Sequence, residues 1–206
     1  MKLKKISAVL ASLALMCGLM TAPALAAVQP GVYTANVVTS YYNPDTGNVD
    51  DGGTSNAALG EGMCRSATAA TGLVEVDQNG NTWLTIRLLL QSTCKNSALY
   101  TRNGYDSYSQ VSCDITAEDS GLDSIDYRFQ VSDAGTKLKA TMYVTPMGRD
   151  VLWYLYVDTS TLTPGSGDFA VNIDVTEPEP APTPAPTAAT AATAKPTPTK
   201  APVETA

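Results

Sequence analysis

Short runs of alternating β-rich residues, turn formers between them, and a near absence of helix signal predict an all-β chain. The fold class expected is an immunoglobulin-like antiparallel β-sandwich of about eight strands, followed by a disordered C-terminal tail. "VYTANVVTSYY" (32–42) alternates and stops at "NPDTGN". "GLVEV" (72–76) and "TWLTIRLLLQ" (82–91) flank "DQNGN", a hairpin signature. Within the second run Leu84, Ile86, Leu88 and Leu90 share one face and are expected in the core. Further strands are expected at "YSQVSCDIT", "DYRFQVS", "KLKATMYVT", "VLWYLYVD" and "DFAVNIDV". The exception is "NPDTGNVDDGGTSNAALGEGMCRSA" (43–67), a long glycine-containing stretch with little strand character, of the kind that carries function in compact domains. Its end, "SNAALGEGM", is expected to close a single helical turn. Asp45, Asn48, Asp50 and Asp51 offer oxygens to calcium, but their spacing matches no calcium loop and an ordinary polar turn is the plainer reading.

The ends have a different composition. Lys2, Lys4 and Lys5, the apolar run Ile6–Met20 and the motif Ala24-Leu25-Ala26 predict a secretory signal peptide over residues 1–26. A lipid anchor on Cys17 is disfavoured by the bulk of Met16. Residues 177–206 are almost all Pro, Ala and Thr and read as a solvated spacer with a reach of roughly 90 Å when extended. Residues 27–176 remain as the domain. It holds eight lysines and arginines against seventeen aspartates and glutamates, a net charge of −9. Such a surface repels nucleic acid, so no nucleic-acid partner is expected.

There is no histidine in the 206 residues. Ser-His-Asp and Cys-His triads and imidazole-based metal sites are therefore excluded. A carboxylate-only glycosidase survives formally, without any acidic pair marked out by its context. The mature chain keeps Cys64, Cys94 and Cys113, and in an exported protein that odd number suggests one disulfide, with Cys64–Cys94 the preferred pair.

Three methionines remain after signal removal. Met142 alternates with Lys139, Thr141 and Tyr143 in "KLKATMYVT" and belongs to a buried face. Met63 and Met147 follow Gly or Pro in loops, each two residues before an arginine, Arg65 and Arg149. Two readings stay open for them: loop packing, or ligation of a soft or borderline metal such as haem iron or copper. In the strand after Met147, Val151, Trp153, Leu155 and Val157 share one face while Leu152, Tyr154 and Tyr156 share the other. One face serves the core. Two readings stay open for the tyrosine face: it lines a flat apolar pocket, or the strand is buried between sheets.

"SYYNPDTGNVDDGG", "ALGEGMCRSAT", "DSIDYRF", "VSDAG" and above all "YVTPMGRDVLWYLYVD" resemble the haem-binding Shp family of Gram-positive cell-surface proteins, which is related in fold to NEAT domains. The likeness spans most of residues 31–175. It implies a non-catalytic sandwich holding one haem, with iron coordinated by two methionines at the positions of Met63 and Met147. It also implies a relay role, taking haem from one carrier or transporter receptor and giving it to another. Arg65 and Arg149 are then either partners of the haem propionates or, equally, solvated surface charges, and Tyr154 and Tyr156 are candidates for the pocket wall. Tyrosine-ligated NEAT relatives use Tyr-x-x-x-Tyr, a spacing that Tyr154 and Tyr156 do not reproduce, so tyrosine is the lesser ligand. The other class in view is an adhesive or structural sandwich module on a Pro/Thr-rich stalk.

Overall fold

The computed structural model describes residues 28–53 and 57–174; the expected signal peptide and spacer lie outside the described residues. The expected β-sandwich is present. β1 (Gly31–Ser40) is the element from which it is built, because its two halves pair with different neighbours. Gly31–Asn36 pair with β2 (Thr71–Val76), and Val37–Ser40 pair with β9 (Arg149–Val157). From the first half the order runs β2, β3 (Thr82–Leu89), β7 (Ser124–Val131), β6 (Asp114–Asp119). From the second it runs β9, β8 (Leu138–Val144), β4 (Cys94–Gly104), β5 (Ser107–Gln110), and the two-residue β10 (Thr163–Pro164) pairs β1. Each of these pairings is antiparallel.

The inner faces follow the alternation of the sequence. Val74, Val76, Leu84, Ile86 and Leu88 of one layer join Leu99, Leu138, Ala140, Met142, Trp153 and Leu155 of the other in one core. Met142 is buried on this face as its spacing predicts. β2 is buried on both faces, since Leu73 and Glu75 point away from that core. The outer face holding them is covered by the chain after β10. Phe169 is buried there, Arg87 stacks on its ring at 4.5 Å, and the Asn172 amide donates to Glu75 Oε1 at 2.6 Å.

Four expectations are corrected and one unexpected strand, β4, is added. "YSQVSCDIT" is not one strand: it breaks at residues 111–113 into β5 and β6, which stand at opposite ends of the sheet order. "DFAVNIDV" forms no strand and is this covering segment. "SNAALGEGM" forms more than a turn: α1 spans Ala57–Ala67. Its inward stripe is Gly60, Cys64 and Ala67, small residues that a hydropathy reading passes over. A Cβ on Gly60 would stand 2.2 Å from the Tyr41 ring, so only glycine lets α1 settle this closely. β4 had no alternating signal, because only Cys94 and Leu99 of its eleven residues are buried. Leu90 is no core residue: β3 ends at Leu89, and Leu90 turns into the left-handed region at φ 63° with 44% of its surface exposed.

Candidate functional site

Between α1 and the β8–β9 hairpin lies an open cleft of about 380 Å³, within the roughly 300–1,000 Å³ usual for ligand pockets. α1 contributes Leu59, Gly62, Met63 and Cys64. The strands contribute Met142, Val144, Val151, Leu152 and Trp153, and the β3–β4 turn adds Leu90, Thr93 and Cys94. A Cβ added to Gly62 would meet nothing within 4 Å, so the helix leaves free space where it faces the cleft. Trp153 lies against the wall, its Nε1 donating to Thr68 Oγ1 at 3.0 Å.

Charge enters the cleft at one place. Asp51 is buried, and its Oδ1 accepts from the Tyr41 hydroxyl and from the Gly53 amide at 2.9 Å. Arg149 Nη1 donates to the Asp51 carbonyl at 3.0 Å and lies 3.3 Å from Oδ2, which takes no hydrogen bond. Burial, reinforced by Asp51, raises the Tyr41 hydroxyl above its ordinary value, so it stays a neutral donor. Burial, with the negative charges of Glu61 and Asp51, pushes the Cys64 thiol up to about 12. The cleft thus presents thioethers, thiols, hydrocarbon, the Asp51 carboxylate and a single guanidinium.

Residues 29–174 match the family model described as cell surface heme-binding protein Shp. The chain belongs to the Shp family. No curated protein matches it significantly. Two solved structures similar to this Shp chain are the NEAT5 domain of IsdX2, a B. anthracis hemophore in complex with heme, and a single-residue mutant of the same domain in complex with heme. Each is 13% identical and covers 65% of this chain and 99% of its own, with TM-scores of 0.44 and 0.45 respectively.

The residues singled out in this Shp chain do not all converge. Met63 is half-buried and lines the cleft from α1. Arg149 lines it from the start of β9. Met147 sits in a one-turn 3₁₀ segment, Thr145–Met147, closed by Gly148 at φ 66°; it is 39% exposed and stands outside the cleft lining. Val144 and Arg149, which flank that turn, do line the cleft. Arg65 is exposed one turn along α1 from Glu61, 3.9 Å away, and lines no part of the cleft.

Tyr154 and Tyr156 are on the other face of β9 from Val151 and Trp153 and line no part of the cleft. The Tyr154 hydroxyl donates to Asp50 and its ring lies 5.4 Å from Tyr108, while Tyr156 is exposed beside Val38. Burial and the Asp50 hydrogen bond raise the Tyr154 hydroxyl, which removes it further from phenolate chemistry. The expected Cys64–Cys94 disulfide is absent: Cys64, Cys94 and Cys113 are free thiols, and the first two line the cleft separately, one fixed by α1 and the other by its register opposite Val144. The carboxylates considered for calcium are committed elsewhere, Asp45 to Arg102 at 2.8 Å, Asp50 to Asn43 at 2.7 Å and Asp51 to Tyr41. Sequence reasoning missed Leu90, Gly62, Tyr41 and the Asp51–Arg149 pair; Tyr41 and Gly60 had no signal short of knowing that the helix and the strand end touch.

Proposed function

We propose that the domain binds one haem in this cleft, holds its iron between the thioethers of Met63 and Met147, and relays it to other haem carriers for iron acquisition. The observation that carries the reading is the pairing of an apolar, half-open cleft bordered by Met63 and by the Met147 turn with a Shp-family match over residues 29–174. The donor set suits the group. Apolar walls bury a macrocycle, and the free space over Gly62 allows one to lie against α1. Haem supplies a redox-active iron, and neutral thioethers favour its ferrous over its ferric state. They also leave the ferric bonds easy to exchange, as a relay requires. Cys64 stays a thiol and so does not compete as thiolate. Arg149, at the charged end, would share its guanidinium between Asp51 and a propionate. Tyr154 and Tyr156 are assigned no haem contact, and no catalytic role is assigned to any residue. Among the described residues no helix is long and apolar enough to cross a membrane. We read residues 1–26 as a signal peptide, 27–176 as the haem domain and 177–206 as the spacer, in a protein exported to the surface of a Gram-positive cell.

The test is an absorption titration of residues 27–176 with haemin, read before and after dithionite. The expected result is a saturable one-to-one complex, six-coordinate and low-spin when reduced, that loses this spectrum in Met63→Ala and in Met147→Ala. A titration that gives only the spectrum of free haemin sinks the reading and favours the adhesive module.

A further inference from the structure

Leu90 breaks a local rule at the edge of the cleft. Among the described residues four non-glycine positions have positive φ: Leu90, Asn96, Asp106 and Asp123. Asn and Asp tolerate the left-handed region because their short polar side chains bond locally. Leucine gains nothing there. The conformation is imposed from outside. Ser92 donates to Asp123 from its amide at 2.7 Å and its hydroxyl at 2.8 Å, and the Gln91 amide donates to the Asp123 carbonyl at 3.2 Å. The Leu90 carbonyl then accepts from the Thr93 amide at 3.1 Å and the Thr93 hydroxyl at 3.0 Å. Finally the Thr145 amide donates to the Thr93 carbonyl at 3.0 Å, which ties this turn to the one bearing Met147.

Alternation alone would have buried Leu90 beneath Leu88, which is fully buried. Instead the turn lifts it out of the core and stands a half-exposed leucine on the cleft wall. A backbone conformation that a glycine would adopt at no cost, occupied by leucine and over-determined by five hydrogen bonds, is the signature of strain kept for a purpose.

We propose that Leu90 is a ligand-retaining residue, held in the left-handed region so that its side chain closes over the exposed edge of the haem and slows its release. The inference rests on the haem reading of the cleft. It makes two claims that separate by variant: the backbone is strained, and the side chain touches the ligand. Leu90→Gly removes both the strain and the side chain; Leu90→Ala removes the side chain and keeps the strain.

The experiment measures melting of the haem-free domain and the rate of haem loss to excess apomyoglobin for the wild type and both variants. The glycine variant is expected to melt about 2–4 °C above the alanine variant. Both should release haem about tenfold faster than wild type, with the absorption spectrum unchanged because no iron ligand is removed. Release at the wild-type rate in both variants would overturn the contact, and a glycine variant melting at or below the alanine one would overturn the strain. A wild type that takes up no haem is a different failure: it removes the haem reading of the cleft and the retention role with it, while the melting comparison still decides the backbone.

Discussion

The outer face of the β2–β3–β7 layer and the cleft by α1 differ in how tightly their charges are paired and in how relaxed their backbone is. On the outer face every charge drawn under the covering segment is matched. Glu75 and Arg128 pair at 2.6 Å, Arg87 bridges Asp126 and Asp168 at 2.6 Å each, and Arg128 lies 4.8 Å over the Trp83 ring. In the cleft, Asp51 Oδ2 accepts no hydrogen bond, Gly62 leaves space unfilled, and Leu90 is strained. Charges are paired at short distance where the molecule is held together, although the buried Thr85 hydroxyl on that face also lacks a partner, and the backbone is strained where the molecule opens into the cleft. With the cleft as the proposed haem site, stability and ligand binding fall on different surfaces, so substitutions should separate them.

The largest expected effect is on the matched face. Glu75 is fully buried, and Glu75→Ala would strand the Arg128 guanidinium beside Trp83 and release the Asn172 amide. Removing one partner of a buried ion pair costs about 3–5 kcal/mol. Urea unfolding should show that loss, while haem titration at a temperature where the variant stays folded should be unchanged. An altered haem spectrum in the folded variant would mean that the two surfaces are coupled.

That division also explains what was legible. Strand positions were, because burial on one face writes a period of two into residues such as Leu84, Ile86 and Leu88 or Leu138, Ala140 and Met142. The charged outer face was not: Glu75, Arg87 and Arg128 occupy the polar positions of the alternation, and only the fold shows that Asp168 and Phe169 return to cover them. Met63 and Met147 stood out in the sequence because a thioether in a glycine- or proline-marked loop has no core to fill. The wall of the cleft did not. Both faces of "VLWYLYVD" are apolar, so periodicity could not say that Val151 and Trp153 rather than Tyr154 and Tyr156 meet the ligand space. α1 was hidden because its contact stripe is made of Gly60, Cys64 and Ala67, and Leu90 because a left-handed turn carries no mark when glycine or asparagine is absent.

Two glycines two residues apart in α1, and so on different sides of the helix, sharpen the comparison at intermediate size. Gly60→Ala drives a methyl into the Tyr41 ring and should destabilise the fold by about 1–3 kcal/mol, as overpacking does. Gly62→Ala meets nothing, and should stabilise the haem-free domain by roughly 0.5–1 kcal/mol through helix propensity. The same methyl would occupy the cleft and weaken haem binding on the order of tenfold. Chemical denaturation and haem titration of both variants check this. Should Gly62→Ala leave haem affinity intact, the ligand does not lie against that stretch of the helix.

The smallest effects are expected from acid, and they too differ between the regions. Arg102 holds the Asp45 carboxyl below its ordinary range, with the Asp106 amide adding a hydrogen bond at 2.9 Å, and Arg87 does the same for Asp168. A carboxylate whose folded pKa is depressed contributes its full stabilisation above the unfolded value of 3.8 and loses it as pH falls from there through the folded value. Stability should therefore be flat from neutral pH to about 5 and decline below 4. Asp45 anchors the 43–53 loop, and with it Asp51, to the β4–β5 hairpin through Arg102. Asp45→Asn should accordingly flatten the acid limb and loosen the charged end of the cleft. Asp168 is well exposed and its pairing is screened by solvent and salt, so Asp168→Asn should shift stability by less than about 0.5 kcal/mol. Denaturation midpoints between pH 3 and 7 at low and high salt distinguish them. An acid limb that survives in Asp45→Asn would place the titrating carboxylate away from the cleft, at Asp168 or at Asp77 in the β2–β3 turn, where the Asn81 side chain holds the carboxyl below its ordinary range.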